Sequence, residues 1–150
     1  MNAPTIIIDT REQKPYRFDN SITKKLNAGD YSIKGLETVI AVERKTKADA
    51  YGTFGKGRAR FERELKRFAE FDYKAIVIES SLTDFLKPPA FSKMLPGSAV
   101  NSVLAWTIKY RIHVFWACDR EHGNAVTVRI LEKYWKYYQL NRKQKTTKGE

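Results

Sequence analysis

Short apolar runs alternate along this chain with stretches that repeat at helical spacing. Residues 5–8, 39–42, 75–78 and 114–117 are mostly apolar runs bounded by charged or turn residues, the pattern of buried strands. Ile22, Lys24 and Leu26 alternate with Thr23 and Lys25, which suggests a further strand leading into Gly29. Residues 31–33 and 39–44 read as two arms joined through Gly35. Phe61, Leu65, Phe68 and Phe71 recur at steps of four and three, predicting an amphipathic helix over residues 58–71. A short helix over 82–86 is stopped by Pro88 and Pro89. A longer helix over 98–110 is expected to bury Val100, Val103, Leu104, Thr107 and Trp106. A final helix over 125–140 carries Val128, Leu131, Trp135 and Tyr138, with Tyr134 and Tyr137 alongside. Strands interleaved with helices predict an α/β domain with a central sheet.

The length fits one domain over residues 1–140, followed by a basic polar tail, NRKQKTTKGE, expected to be disordered. Lys and Arg number 28 against 17 Asp and Glu, a net charge of +11 that suits nucleic acid or an anionic membrane. No apolar stretch is long enough to span a bilayer and no signal-peptide pattern opens the chain, so an intracellular protein is expected, cytoplasmic if prokaryotic or phage-encoded. Cys118 is the single cysteine and reads as a core thiol. With His113 and His122 it cannot complete a usual structural zinc site, and His113 reads as structural. Between residues 52 and 60, three glycines sit among Lys56, Arg58 and Arg60, suggesting a mobile basic loop that grips DNA phosphates without reading sequence. Because that loop lacks the Gly-Lys-Ser/Thr ending of nucleotide-binding loops, no nucleotide cofactor is expected. Glu62 and Lys66 form an ordinary solvated i,i+4 pair on this reading.

The chemistry concentrates in residues 29–49, where charge arrives abruptly at the end of an apolar strand. Glu43 and Lys45 are two apart on an extended chain, so they share one face roughly 6.6 Å apart. Asp30, after Gly29 on the preceding arm, is brought beside Glu43 by antiparallel pairing. Two hard oxygen ligands and an ammonium suit Mg²⁺ with a substrate phosphate. Strict alternation points Arg44 the other way, to brace Asp49 or Glu12 from behind. Asp49 also suits the first turn of a helix capped by Thr46, through the helix dipole. A lone Glu-x-Lys is common on solvated strands, and its weight comes from its neighbours.

Those neighbours are Asp9-Thr10-Arg11-Glu12 at the end of the first strand, Gly29-Asp30, and Glu43-Arg44-Lys45-Thr46-Lys47-Ala48-Asp49. In order and spacing the three blocks resemble the nuclease domain of the XPF-type structure-specific DNA endonucleases, a branch of the PD-(D/E)xK superfamily. The likeness extends over residues 5–118. It implies a restriction-endonuclease-like fold, a mixed sheet flanked by helices, and an enzyme of DNA repair or recombination that uses Mg²⁺ or Mn²⁺ to hydrolyse branched, flapped or forked DNA. By the resemblance Asp9, Asp30 and Glu43 surround the metal, Lys45 is catalytic, and Arg11, Glu12, Arg44 and Asp49 brace the site or contact phosphate. The aromatic C-terminal helix either forms a homodimer seam, as the corresponding end does in that family, or covers the core. A standalone domain is expected, without the tandem helix-hairpin-helix motifs of many relatives, similar to short versions from phages and prokaryotes. A rival reading is an inactive DNA-binding scaffold partnering an active nuclease. The complete set Asp9, Asp30, Glu43 and Lys45 argues against it. A third reading, a basic protein adaptor, leaves the three blocks as accidents.

Overall fold

The computed structural model describes residues 2–149. Its strands are β1 (Ile6–Ile8), β2 (Ser21–Thr23), β3 (Tyr31–Ile33), β4 (Ile40–Thr46), β5 (Tyr73–Glu79) and β6 (His113–Trp116). Its helices are α1 (Lys47–Phe54), α2 (Arg58–Arg67), α3 (Leu82–Phe85), α4 (Pro96–Lys109) and α5 (Arg120–Lys148). The strands form one mixed sheet in the order β2-β1-β3-β4-β5-β6. β1 runs antiparallel to β3 and β3 to β4, whereas β4, β5 and β6 are mutually parallel. Parallel strands need crossover connections, which α1 with α2, and α3 with α4, supply.

Side-chain alternation divides the core in two. Ala41, Ile76 and Ile78 face Phe54, Phe61, Leu65 and Trp106 on α1, α2 and α4. Ile40, Val42 and Val77 face the opposite layer, where Tyr16, Tyr31 and Leu131 of α5 close the sheet. A strand covered on both faces must be apolar at every position, which is why 39–42 and 75–78 read as continuous runs. Glu43 and Lys45 therefore emerge on the α1–α2 side, and Arg44 on the α5 side.

Several local expectations change. The second strand is Ser21–Thr23, an exposed edge beside β1, and Leu26 is a core residue beyond its end. The glycine-rich basic segment is mostly helix. Gly52 and Phe54 lie in α1, Arg58 opens α2, and only residues 55–57 form a turn. Phe54 is fully buried and its ring centroid lies 5.1 Å from that of Trp106, an anchor that offsets glycine's helix cost of about 1 kcal/mol. On α4 Trp106 is buried but Leu104 is 54% exposed, because two residues apart on a helix lie on opposed sides. Cys118 is exposed rather than a core thiol, since the chain turns there at φ +73° and Ala117 takes the buried place. The last helix does not end at residue 140. It continues through the basic segment to Lys148, with Thr146 and Thr147 bonded back to the carbonyls four residues earlier and no proline to stop it. Along α5, Gly123, Thr127 and Leu131 are buried, Tyr134, Trp135 and Tyr138 are half-buried, and Tyr137 is 57% exposed. No helix among the described residues is long and apolar enough to cross a membrane.

Candidate active site

The site forms where β1, β3 and β4 meet. Asp9 N donates to the Asp30 carbonyl at 2.9 Å and Asp30 N to the Val42 carbonyl at 2.9 Å, which lines up the ends of three strands. Gly29 makes this possible. It turns at φ +79°, and a Cβ there would stand 3.0 Å from Ala41 Cβ and 3.3 Å from the Val42 carbonyl oxygen. Asp30 Oδ2 accepts from Arg44 N at 2.7 Å, so its carboxylate is fixed against β4 beside Glu43. Lys45 Nζ sits 3.3 Å from Glu43 Oε2 and 5.0 Å from the Phe61 ring centroid.

Asp9, Arg11, Asp30 and Glu43 line one cavity of about 260 Å³ with Gly29, Asn27, Arg60, Glu64 and Arg67. Lys45 lines an adjoining cavity of about 330 Å³, whose wall also includes Arg60 and Glu64. The sequence-predicted residues thus fall into groups. Asp30, Glu43, Lys45 and Arg60 converge. Asp9 borders the cavity with its oxygens occupied: Oδ2 takes Arg11 Nε at 2.8 Å and Oδ1 takes Leu26 N at 2.8 Å. Arg58 is spent on α4, its guanidinium 2.6 Å from Ser102 Oγ and stacked on Trp106. Lys56 lines a separate groove with Phe91 and Met94. Asp49 is exposed in the first turn of α1, capped by Thr46, and makes no ion pair among the described residues. Glu62 accepts from Trp106 Nε1 at 3.1 Å instead of pairing with Lys66.

Behind β4, Arg44 braces neither Asp49 nor Glu12 alone. Its guanidinium grips Glu79 through Nε at 2.6 Å and Nη2 at 3.3 Å, and Glu12 lies 3.7 Å from Nη1. The Tyr16 hydroxyl also donates to Glu79, and the Tyr31 hydroxyl donates to Glu12 at 2.6 Å. Tyr16 stacks on Tyr31 and lies under both Arg44 and Arg120. Sequence reading left Glu79 without a role and passed over Tyr16, Tyr31 and Glu64. The legible signal for Glu79 was its place at the end of β5, on the same face as Arg44. For Glu64 it was a position on the flank of the Phe61–Leu65–Phe68 stripe.

Electrostatics separate the two sides. Burial, then the charge of Glu12, pushes the Asp30 carboxyl up to about 7, opposed by the hydrogen bond that the Arg44 N–H donates to it. Burial and the charge of Asp30 push Glu43 well above the usual carboxylate range, with Lys45 opposing. Burial disfavours charge on Lys45, yet Glu43, Asp30 and Glu64 together hold its pKa above the ordinary value. Burial also acts upward on Asp9, but Arg11 and the Leu26 N–H bring it below its usual range. Arg44 is likewise held charged by Glu79 despite its burial. Buried carboxylates that repel one another around one ammonium are the donor set a hard divalent cation relieves. Asp30 and Glu43 fit such an ion.

The family model for the ERCC4 domain matches residues 8–130. The chain belongs to the ERCC4-domain family. Among solved structures, XPF from Aeropyrum pernix in complex with DNA is similar at a TM-score of 0.69 and 24% identity, over 89% of this chain and 66% of that one. A second structure, XPF from Aeropyrum pernix, gives 0.68 and 24%, over 87% of this chain and 61% of that one. This ERCC4-domain chain therefore spans less than two thirds of those solved chains, and shares with them the restriction-endonuclease-like fold of a mixed sheet flanked by helices. No curated protein matches it.

Proposed function

We propose that this ERCC4-domain chain is a divalent-metal-dependent DNA endonuclease that hydrolyses phosphodiester bonds in branched, flapped or forked DNA. The observation that carries the reading is the convergence of Asp30, Glu43 and Lys45 on one cleft, rimmed by Arg11, Arg60 and Arg67, in a chain of net charge +11. Asp30 and Glu43 would hold the cation, with Asp9, kept ionised by Arg11, beside them. Mg²⁺ or Mn²⁺ there would supply the positive charge that polarises a phosphoryl oxygen and lowers the pKa of a water. Lys45, kept charged by Glu43, sets an ammonium against the negative charge that grows on the phosphoryl oxygens. Water supplies a hydroxyl to phosphorus, the P–O ester bond breaks, and the leaving oxygen takes a proton. Arg60 and Arg67, exposed on α2, engage backbone phosphates, so binding weakens as salt rises.

The apolar groove of about 490 Å³ between β6 and α5, lined by Tyr73, Phe115, Ile130, Tyr134 and Tyr137, supports the homodimer reading of the C-terminal helix. A DNA-processing role places the protein inside the cell.

The test is cleavage of end-labelled forked DNA beside matched plain duplex, with Mg²⁺, Mn²⁺ or chelator, for the native chain and Lys45→Ala. Metal-dependent cutting near the fork that is lost in the variant is expected. Tight, salt-sensitive binding with no cutting under any divalent ion favours the inactive scaffold.

A further inference from the structure

The loop between α3 and α4 carries an aromatic side chain that the core does not use. Phe91 is 64% exposed and belongs to neither core cluster. The loop beneath it is fixed nonetheless. Ser92 N donates to the Pro89 carbonyl at 3.0 Å, Met94 N donates to Ser92 Oγ at 3.1 Å, and Met94 packs on the core. Pro88 and Pro89 on one side and Pro96 at the start of α4 restrict the backbone further. The ring is therefore held out to solvent in advance, so a partner that covers it orders little of the chain.

Phe91 lines a cavity of about 540 Å³ with Tyr51, Lys56, Lys93 and Met94, larger than either cavity of the catalytic cleft. Lys56 and Lys93 are exposed there, and neither has an ion-pair partner among the described residues. Gly52 of α1 lines this cavity and also the one that holds Lys45, so the two meet at that residue. Glycine inside a helix costs about 1 kcal/mol against alanine, yet a Cβ at Gly52 would meet nothing within 4 Å. Packing within the chain thus gives no reason for the missing side chain. Its effect is bare backbone at the saddle between the cavities, where another chain can cross closely.

We infer that an unpaired DNA strand runs from the catalytic cavity over Gly52 and stacks a base on Phe91, with Lys56 and Lys93 on its phosphates. Every base offers a π-face to such a ring, and flanking ammonium groups neutralise the backbone without reading sequence. A base inside duplex has both faces covered by its neighbours in the stack, so duplex cannot use Phe91. An apolar protein segment would leave the two ammonium groups unanswered. The inference rests on the DNA-nuclease reading above and names the arm of a branched substrate that this side of the cleft takes.

Fluorescence anisotropy of a labelled oligothymidylate and of a matched duplex, titrated with the full chain in chelator over a series of salt concentrations, tests it. Phe91→Ala is expected to weaken the single strand roughly tenfold with its salt dependence unchanged, and to leave duplex binding as it is. Phe91→Trp keeps a ring and should bind like the native chain. Removing Lys56 and Lys93 together should lower the slope of log K against log salt by about 0.7 for each lysine. Gly52→Leu fills the saddle and should weaken the single strand as well, while Ile108→Ala, 81% exposed on α4, serves as the unaffected control. Near-ultraviolet circular dichroism checks that each variant is folded, and Phe91 and Gly52 report independently if one of them is not. Native single-strand affinity in Phe91→Ala and Gly52→Leu overturns the site, and so do equal losses on single strand and duplex; the nuclease reading then stands if Lys45→Ala still abolishes metal-dependent cutting. No binding of forked or single-stranded DNA by the native chain overturns both.

Discussion

On the α5 side of β4 the guanidinium of Arg44 is forked onto Glu79, with Tyr16 and Glu12 completing a closed set of partners, and Tyr31 bonded to Glu12. One residue to either side, on the α2 side, Glu43 and half-buried Lys45 open onto two adjoining cavities, Asp30 and Glu43 lining one, Lys45 the other, and Glu64 both. The closed face satisfies its charges and fixes the strand. The open face sets the Asp30 and Glu43 carboxyls against one another, with Lys45 the one cation in ion-pair contact with Glu43 among the described residues. Alternation along three consecutive residues thus yields a brace and a reactive surface from the same backbone.

Breaking the closed face should have the largest effect. Glu79→Ala leaves the half-buried Arg44 guanidinium and the buried Tyr16 hydroxyl without their shared acceptor, and about 3–5 kcal/mol of stability is expected to go, read as a lower urea midpoint. A change under 1 kcal/mol would mean that the brace is only a surface pair.

The open face predicts an inverted pH dependence. Asp30 is raised from an ordinary value of 3.8 to about 7, so between those values the folded chain holds a proton that the unfolded chain releases. Stability of the metal-free protein is therefore greatest at the acid end and falls as pH rises through this window, by on the order of 3 kcal/mol, with Glu43 acting in the same direction. Urea midpoints at pH 5 and pH 8 should differ in that sense with chelator present. Asp30→Asn should flatten the dependence, and Mg²⁺ should restore stability at pH 8. A native midpoint that rises toward pH 8 in chelator would contradict the raised Asp30 carboxyl.

Gly123→Ala sharpens the comparison from outside the strand. A methyl group there would run into the Tyr16 hydroxyl and stand 3.2 Å from Glu79 Cγ, so α5 packs on the brace only through a glycine. Overpacking should cost about 1–3 kcal/mol and loosen Arg44, while Mn²⁺ binding at the open face changes less. Equal losses on both faces would show that the two are one mechanical unit.

Much of this arrangement was legible beforehand. Doubly buried strands announce themselves as apolar runs, acids at their ends stand out by contrast, and a period of two separates Glu43 and Lys45 from Arg44 whatever the rest of the fold does. Helix boundaries within 52–60 were misread because glycine spacing outweighed Phe54, whose burial against Trp106 becomes visible only once α4 is in place. The basic end of α5 was read as a tail because charge alone says nothing against a helix that lacks breakers.

The sequence by itself determined the strand ends, the acid and lysine pattern that marks the site, and the basic character of the surface, because these depend on local periodicity and composition. Only the tertiary structure decided that Glu79 and Tyr16, 35 and 28 positions from Arg44, would be its partners, that Asp9 would be tied to Arg11 and Leu26, and that Glu64 would enter the cleft from α2. Such pairings depend on which helix flank meets which strand end. That choice is made by the burial of Phe61, Leu65 and Trp106 across the sheet, and no spacing along the chain encodes it directly.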